Sequence, residues 1–265
     1  MKNYFSMGNK LIRRSPIELV ETDSVSESSP TNRYAALIKR FAIDTSPRLG
    51  PKYVCALEWK NSKSIGPFLA LAKNVKLPYI KGLDFQNVQE LSCKDTENLD
   101  QLLQNSLPEE LVTFRIKGGD QYFKLDDYKQ SLQNVFDVTQ HSVGITWFTL
   151  DDSSLKFIVE NAHTLTHLVL DWCRFKISNL LAFDCDKDYN MVHLSLRFSW
   201  RKSDPRRLNE NKLQIFLRAL SKTTIRHSLK FVYVNDDWFN CKEVKQIFNQ
   251  YLFNVTVKDE EWHRI

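Results

Sequence analysis

Residues 165–175 read Leu-Thr-His-Leu-Val-Leu-Asp-Trp-Cys-Arg-Phe, with apolar side chains at the first, fourth, sixth and eleventh places and Cys173 at the ninth. Leu168 and Leu170 alternate with Val169 and Asp171, the period of two expected of a half-buried strand, and Cys173 falls where the chain must turn away from it. The same template can be laid down elsewhere after Pro51. Its first, fourth and sixth places are filled by Val54-Leu57-Trp59, Ile80-Leu83-Phe85, Leu111-Phe114-Ile116, Ile145-Phe148-Leu150, Met191-Leu194-Leu196, Leu229-Val232-Val234 and Leu252-Val255-Val257. Eight strands are therefore predicted. Their spacing is uneven, from 20 residues (Ile145 to Leu165) to 38 (Met191 to Leu229), and the match is strict only around residues 145–199.

Between the strands the period changes to that of a helix. Leu99, Leu102, Leu103 and Leu107 share one face, as do Tyr128, Leu132, Val135 and Phe136, and Leu155, Ile158, Val159 and Ala162. The series resumes with Leu213, Phe216, Leu217 and Leu220, then Val244, Ile247, Phe248 and Tyr251, while Ile177, Leu180 and Leu181 suggest a shorter turn. Asp95 or Thr96, Asp126, Ser153 and Asn209 stand where helix caps are wanted. Strand and helix in alternation predict an α/β chain with a parallel sheet and helices on its outer side. A doubly wound sheet is the alternative, but burial on both faces makes its strands near-continuous apolar runs. Here Thr166, His167, Val169, Asp171, His193, Ser195 and Arg197 interrupt the leucines, which predicts one open face.

The spacing L-x-x-L-x-L-x-x-C-x-F at Leu165–Phe175 resembles the leucine-rich repeat family, in its irregular, cysteine-containing, ribonuclease-inhibitor-like variety. The resemblance implies an open, curved solenoid with parallel inner strands, outer helices and a concave face that binds partners. Cys173 and Cys241 fall at or near the turn, where the family uses Cys or Asn to hold the bending backbone. In this register the third, fifth and seventh places of each repeat face the concave side. Trp147, His167, His193 and Phe231 then stand side by side, with Tyr233 behind them and Asp151, Asp171 and Arg197 along the edge. Aromatic residues and Arg over a polar rim are the composition of a protein interface.

The domain organisation expected is a disordered polar and basic tail over residues 1–32, a capping helix and linker over 33–50 built on Tyr34, Leu37, Ile38 and Phe41, and a domain of about eight irregular repeats over 51–265. The longest repeat owes its length to Trp200–Arg207, whose Arg201, Lys202, Arg206 and Arg207 form a basic rim loop suited to phosphate or an acidic protein. A net charge of +5, with both signs interleaved along the chain, gives nucleic acid only second place as a partner, behind another protein. No run approaches the ~20 apolar residues of a membrane-spanning helix, so no membrane insertion is expected. Five cysteines without close pairs point to the cytoplasm, with a mitochondrial location as the alternative. His163 and His167 are four apart but straddle a helix-to-strand passage without a cysteine at ligand spacing, so neither a metal nor a cofactor is expected. With no nucleophile motif or phosphate-binding glycine loop, the sequence predicts a noncatalytic protein-binding module. A fixed subunit of a larger assembly, mitochondrial or ribonucleoprotein, is the alternative, and an α/β enzyme a remote one.

Overall fold

A computed structural model describes residues 17–19, 55–59, 65–73, 75, 80–85, 93–118, 125–179, 183–184, 186–198, 208–235, 242–252 and 255–258. The expected capping helix at 33–50 and the basic loop with Arg201, Lys202, Arg206 and Arg207 lie outside them. The chain divides into two compact units. The first comprises Met1–Arg115 with Gln130–Val138 and Ile265, and the second Ile116–Lys129 with Thr139–Arg264.

In the first unit, strands β1 (Ile17–Leu19), β2 (Cys55–Trp59) and β3 (Ile80–Phe85) pair in parallel in that order. β1 falls inside the stretch expected to be an unstructured tail. Helix α1 (Ile65–Ala72) follows β2 and is not among the helices expected from the sequence. Pro67 lies in the first turn, where its missing N–H has no helical partner to lose. Helix α2 (Cys93–Asn105) buries Leu99, Leu102 and Leu103, three side chains that the helical repeat puts on one stripe. Strand β4 (Leu111–Lys117) has its first five residues in this unit, and Phe85 meets Phe114 edge-on at 6.0 Å. Helix α3 (Lys129–Val138), all but its first residue in this unit, buries Leu132, Val135 and Phe136. Its Ser131 hydroxyl donates to Asp100, which also accepts from Gln104 Nε2 at 2.8 Å.

The second unit contains β5 (Thr139–Thr146), β6 (Thr149–Asp151), α4 (Asp152–Asn161), β7 (His167–Asp171), β8 (Arg174–Lys176) and β9 (His193–Leu196). It continues with α5 (Glu210–Leu220), α6 (Ile225–Ser228), β10 (Phe231–Val234), α7 (Lys242–Tyr251) and β11 (Thr256–Lys258). Five strands pair in parallel in the order β5-β7-β9-β10-β11, and β6 and β8 form a second parallel pair. Val143, Leu168, Leu194 and Val232 lie abreast and buried on one face. So do Ile145 beside Leu170 and Leu196 beside Val234. Leu155, Ile158 and Val159 of α4, Leu213, Phe216 and Leu217 of α5, and Val244 and Phe248 of α7 are buried too, each worth about 1.5–3 kcal/mol of transfer free energy.

The chain is thus a mixed α/β protein with parallel sheet and helices. Among the described residues no helix is long and apolar enough to cross a membrane.

Two registers differ from the expected ones. The fourth strand was placed at Ile145-Phe148-Leu150, yet β5 ends at Thr146 and pairs Val143 with Leu168 and Ile145 with Leu170. Phe148 and Leu150 belong beyond the strand, Leu150 pairing with Phe175 in the β6–β8 sheet. The small residues Ser142 and Gly144 hide the alternation, while the bulky Phe148 and Leu150 mimic it. At the far end β11 is displaced by two residues, Thr256 facing Phe231 and Lys258 facing Tyr233. A shift of two preserves the face and changes only the neighbour.

Candidate functional site

One face of the second unit's sheet carries the residues singled out in the sequence. Ser142, His167, His193, Phe231 and Thr256 lie abreast on its five strands. Behind them run Gly144, Val169, Ser195, Tyr233 and Lys258. His167, His193 and Phe231 are half-buried, so their row reaches solvent.

The second row does not. Val169 is 3 % exposed, Tyr233 2 %, and Ser195 and Asp171 0 %, against the expectation that this face is plainly open. The rings supply the reason. Tyr233 extends from β10 to within 6.1 Å of the His167 ring on β7, a path that crosses β9 and shuts in Ser195. Its hydroxyl lies 3.0 Å from His193 Nδ1, and the two rings stack at 5.8 Å with 18° between planes. His193 also stacks on Phe231 at 5.2 Å and 16°, and the His167 ring tilts against it at 5.6 Å. Lys258 Nζ sits 4.1 Å from the centroid of Phe231.

Burial lowers the His193 pKa from its ordinary value, and the positive charges of His141, Lys258 and Lys230 lower it further. His141 on β5, in hydrogen-bond contact with Thr166 Oγ1, is likewise lowered by burial. Burial raises the Tyr233 phenol.

Asp171 and Arg197 form an ion pair, with Asp171 wholly buried and Arg197 Nη2 reaching its Oδ2. Asp171 Oδ1 has no hydrogen-bond partner, and neither do the buried hydroxyls of Ser142, Thr146 and Ser195. Two of the three residues predicted for the edge, Asp171 and Arg197, thus lie together, but as an internal pair.

Two other predicted members are elsewhere. Asp151 ends β6 in the smaller sheet and caps α4, its Oδ1 accepting from Ser154 N at 2.8 Å and Ser153 Oγ at 3.1 Å. Burial alone would raise its carboxyl, but these bonds and the nearby Lys129 outweigh it and hold the group below its ordinary value. Ser153, expected as the cap, is in the first turn instead.

Trp147 stands outside the aromatic row, one residue past β5, with φ of 64°. Trp172 occupies the matching place past β7 with φ of 53°, and the sequence reading passed it over. Left-handed backbone at a bulky residue is strained, yet the turn requires it here. A run of backbone bonds fixes these exits. Gly118 N donates to Thr146 O at 2.7 Å, Trp147 N to Asp171 O at 3.1 Å, and Trp172 N to Arg197 O at 2.6 Å. The glycine is needed for close approach, since a Cβ at position 118 would come within 2.5 Å of Trp147 O. Lys117 Nζ lies 4.4 Å from the centroid of the Trp147 ring.

The turn after β7 is closed by Cys173, whose buried Sγ lies 3.4 Å from Ile145 O and 3.5 Å from Asp171 O. Burial pushes its thiol up to about 12, so it serves as a neutral hydrogen-bond donor and not as a nucleophile. After β10, Asn235 Oδ1 accepts from Phe198 N at 3.2 Å.

The signal for the missed register was in the sequence. Thr146-Trp147-Phe148-Thr149-Leu150 matches Asp171-Trp172-Cys173-Arg174-Phe175, and aligning the tryptophans puts Val143 opposite Leu168. Among the described residues, no three His, Cys, Asp or Glu side chains form a group that could hold a metal. No protein-family model and no curated protein was found to match the chain, so the reading of this face rests on its own geometry.

Proposed function

We propose that the chain is a noncatalytic interaction module, a leucine-rich-repeat-like open solenoid that holds a partner protein on its sheet face and works in the cytoplasm. The observation that carries this reading is the half-buried row of His167, His193 and Phe231, backed by Tyr233. Rigid aromatic side chains already ordered against one another lose little rotamer entropy on binding, which makes them economical anchors. Trp147 and Asp151 drop out of the proposed centre, and Asp171 with Arg197 enters it only as a buried ion pair further along the strands. The cytoplasmic assignment rests on the scattered cysteines, of which Cys173 is a buried free thiol.

A photo-crosslinking amino acid placed at Phe231, and for comparison at the exposed Lys222, tests the face. Capture of a protein partner from position 231 and not from 222 is expected. Phe231→Ala is then expected to cost about 2 kcal/mol of affinity for that partner, the scale of a hot spot, with little change in melting temperature. Equal capture from both positions, or undiminished binding by Phe231→Ala, overturns the reading.

A further inference from the structure

Strand β5 sets no side chain in the second row of this face, because Gly144 stands there. A glycine inside a strand is unfavourable, having the most backbone freedom to lose and nothing to pack. Its usual reason, a positive φ, does not apply, since Gly144 has none. The position is nevertheless buried. Ser142 lies two residues before it and Thr146 two after, and the period of two puts all three on one side of the strand. On the next strand Val169 is the partner of Gly144, and Asp171 the partner of Thr146.

Three of these four neighbours carry an unsatisfied polar atom. Ser142, Thr146 and Asp171 are 3 %, 7 % and 0 % exposed, and Ser142 Oγ, Thr146 Oγ1 and Asp171 Oδ1 make no hydrogen bond to any other group of the chain. Arg197 reaches the other carboxylate oxygen, Oδ2. A buried polar group left alone is destabilising, and nearly all of them bond to protein or to ordered water. Thr146 and Asp171 lie abreast without bonding to one another, so a third group has to serve both. It must donate to the carboxylate, and a neutral donor suits the place better than a cation, because the Arg197 guanidinium already balances Asp171. Ser142 and Thr146 are about 13 Å apart at about 3.3 Å of strand per residue, too far for one small molecule to span. Two molecules in file supply three hydrogen bonds of about 2.8 Å, which suffices when both hydroxyls lean toward the glycine.

We infer that the sheet face holds a binding site for ordered water over Gly144, where one molecule donates to Asp171 Oδ1 and bonds Thr146 Oγ1, and a second links it to Ser142 Oγ. The side chain that glycine lacks gives the room, and Val169 walls the site on the β7 side. Ser195, across Val169 on β9, lies outside it. Internal water with about three polar partners is an integral part of a fold, and here it takes the place of a side chain.

Gly144→Ala in the full chain tests this, since the added methyl group takes the place of the water. Oxygen-17 magnetic relaxation dispersion, which counts long-lived internal water, is expected to find at least one molecule fewer than in the wild type. The melting temperature is expected to fall by about 3 °C or more. Without water at the site the same substitution would raise it, because alanine has less backbone freedom to lose on folding. Thr146→Val keeps the shape and removes the hydroxyl, and it decides the matter should Gly144→Ala not fold. Its melting temperature is expected to fall, whereas losing a hydroxyl that bonds to nothing would leave it level or raise it. Melts in potassium, sodium and choline chloride at equal ionic strength are expected to agree. An unchanged count of internal water in Gly144→Ala, a level or raised melting temperature in Thr146→Val, or stabilisation by one alkali cation alone would each overturn the inference. The docking reading is decided separately, at position 231.

Discussion

At the scale of single residues, buried polar groups decide the most. Asp171 is wholly buried, and its compensation is the Arg197 guanidinium. Removing one member of a buried pair strands the other, so Asp171→Ala is expected to lower stability by about 3 kcal/mol in urea denaturation. Ser195 should behave in the opposite way. Its buried hydroxyl has no partner, and Ser195→Ala removes a polar group without breaking a bond, so stability should be unchanged or raised by about 1 kcal/mol. Loss comparable to that of Asp171→Ala would show that Ser195 is hydrogen-bonded in solution. The histidines set a pH dependence. The folded values of His193 and His141 lie below the 6.5 of an unperturbed imidazole, so the unfolded chain binds more protons in between. Their contribution is complete above the unfolded value and is lost as pH falls through the folded ones. Melting temperature should therefore drop as pH falls below the unperturbed imidazole value of about 6.5, and His193→Phe, which keeps the stack on Phe231, should flatten that drop. None of this was legible from spacing. Sequence put His193 and Asp171 on one face, but whether a side chain ends at an edge or in a sealed pair depends on partners on adjoining strands that are 26 to 40 residues away in the chain.

At the scale of elements, the period-two and period-3.6 signals located most strands and helices, since a buried row such as Leu168, Leu194 and Val232 cannot be moved without exposing leucine. β5 escaped because its face carries Ser142, Gly144 and Thr146, too small and polar to mark a strand, whereas Phe148 and Leu150 just beyond it look like one. α1 is short, and Gly66 and Pro67 within it are poor helix formers away from a first turn, so its sequence carries a weak helical signal. The cap of α4 was misplaced by two residues for want of the strand boundary. Asp151→Ala should thus cost about 1 kcal/mol, and Ser153→Ala much less, in thermal melts. The sheet face gives a sharper comparison. Alternation alone would let Val169→Asp be tolerated while Leu168→Asp unfolds the chain. With Val169 sealed beneath the rings, both should destabilise it by several kcal/mol, a gap in melting temperature favouring Val169→Asp being the contrary result.

At the scale of the molecule, the strand exits make one turn of the second unit dependent on the next. Gly118, Trp147 and Trp172 each donate the amide that closes their own turn to a carbonyl belonging to the following strand or its end, at Thr146, Asp171 and Arg197. Dependence of this kind has a direction. A turn is latched only once the strand that follows it is in place, so losing a strand releases first the turn just before it. Weakening β9 by Leu194→Ala, a loss of about 2–5 kcal/mol, should first speed hydrogen exchange at Trp172, then at Trp147, and least at Gly118. On a ribosome, where the amino-terminal turns emerge first, each would wait half-closed for the next stretch of chain to arrive, and the two left-handed tryptophans would be held in their strained conformation only after it had.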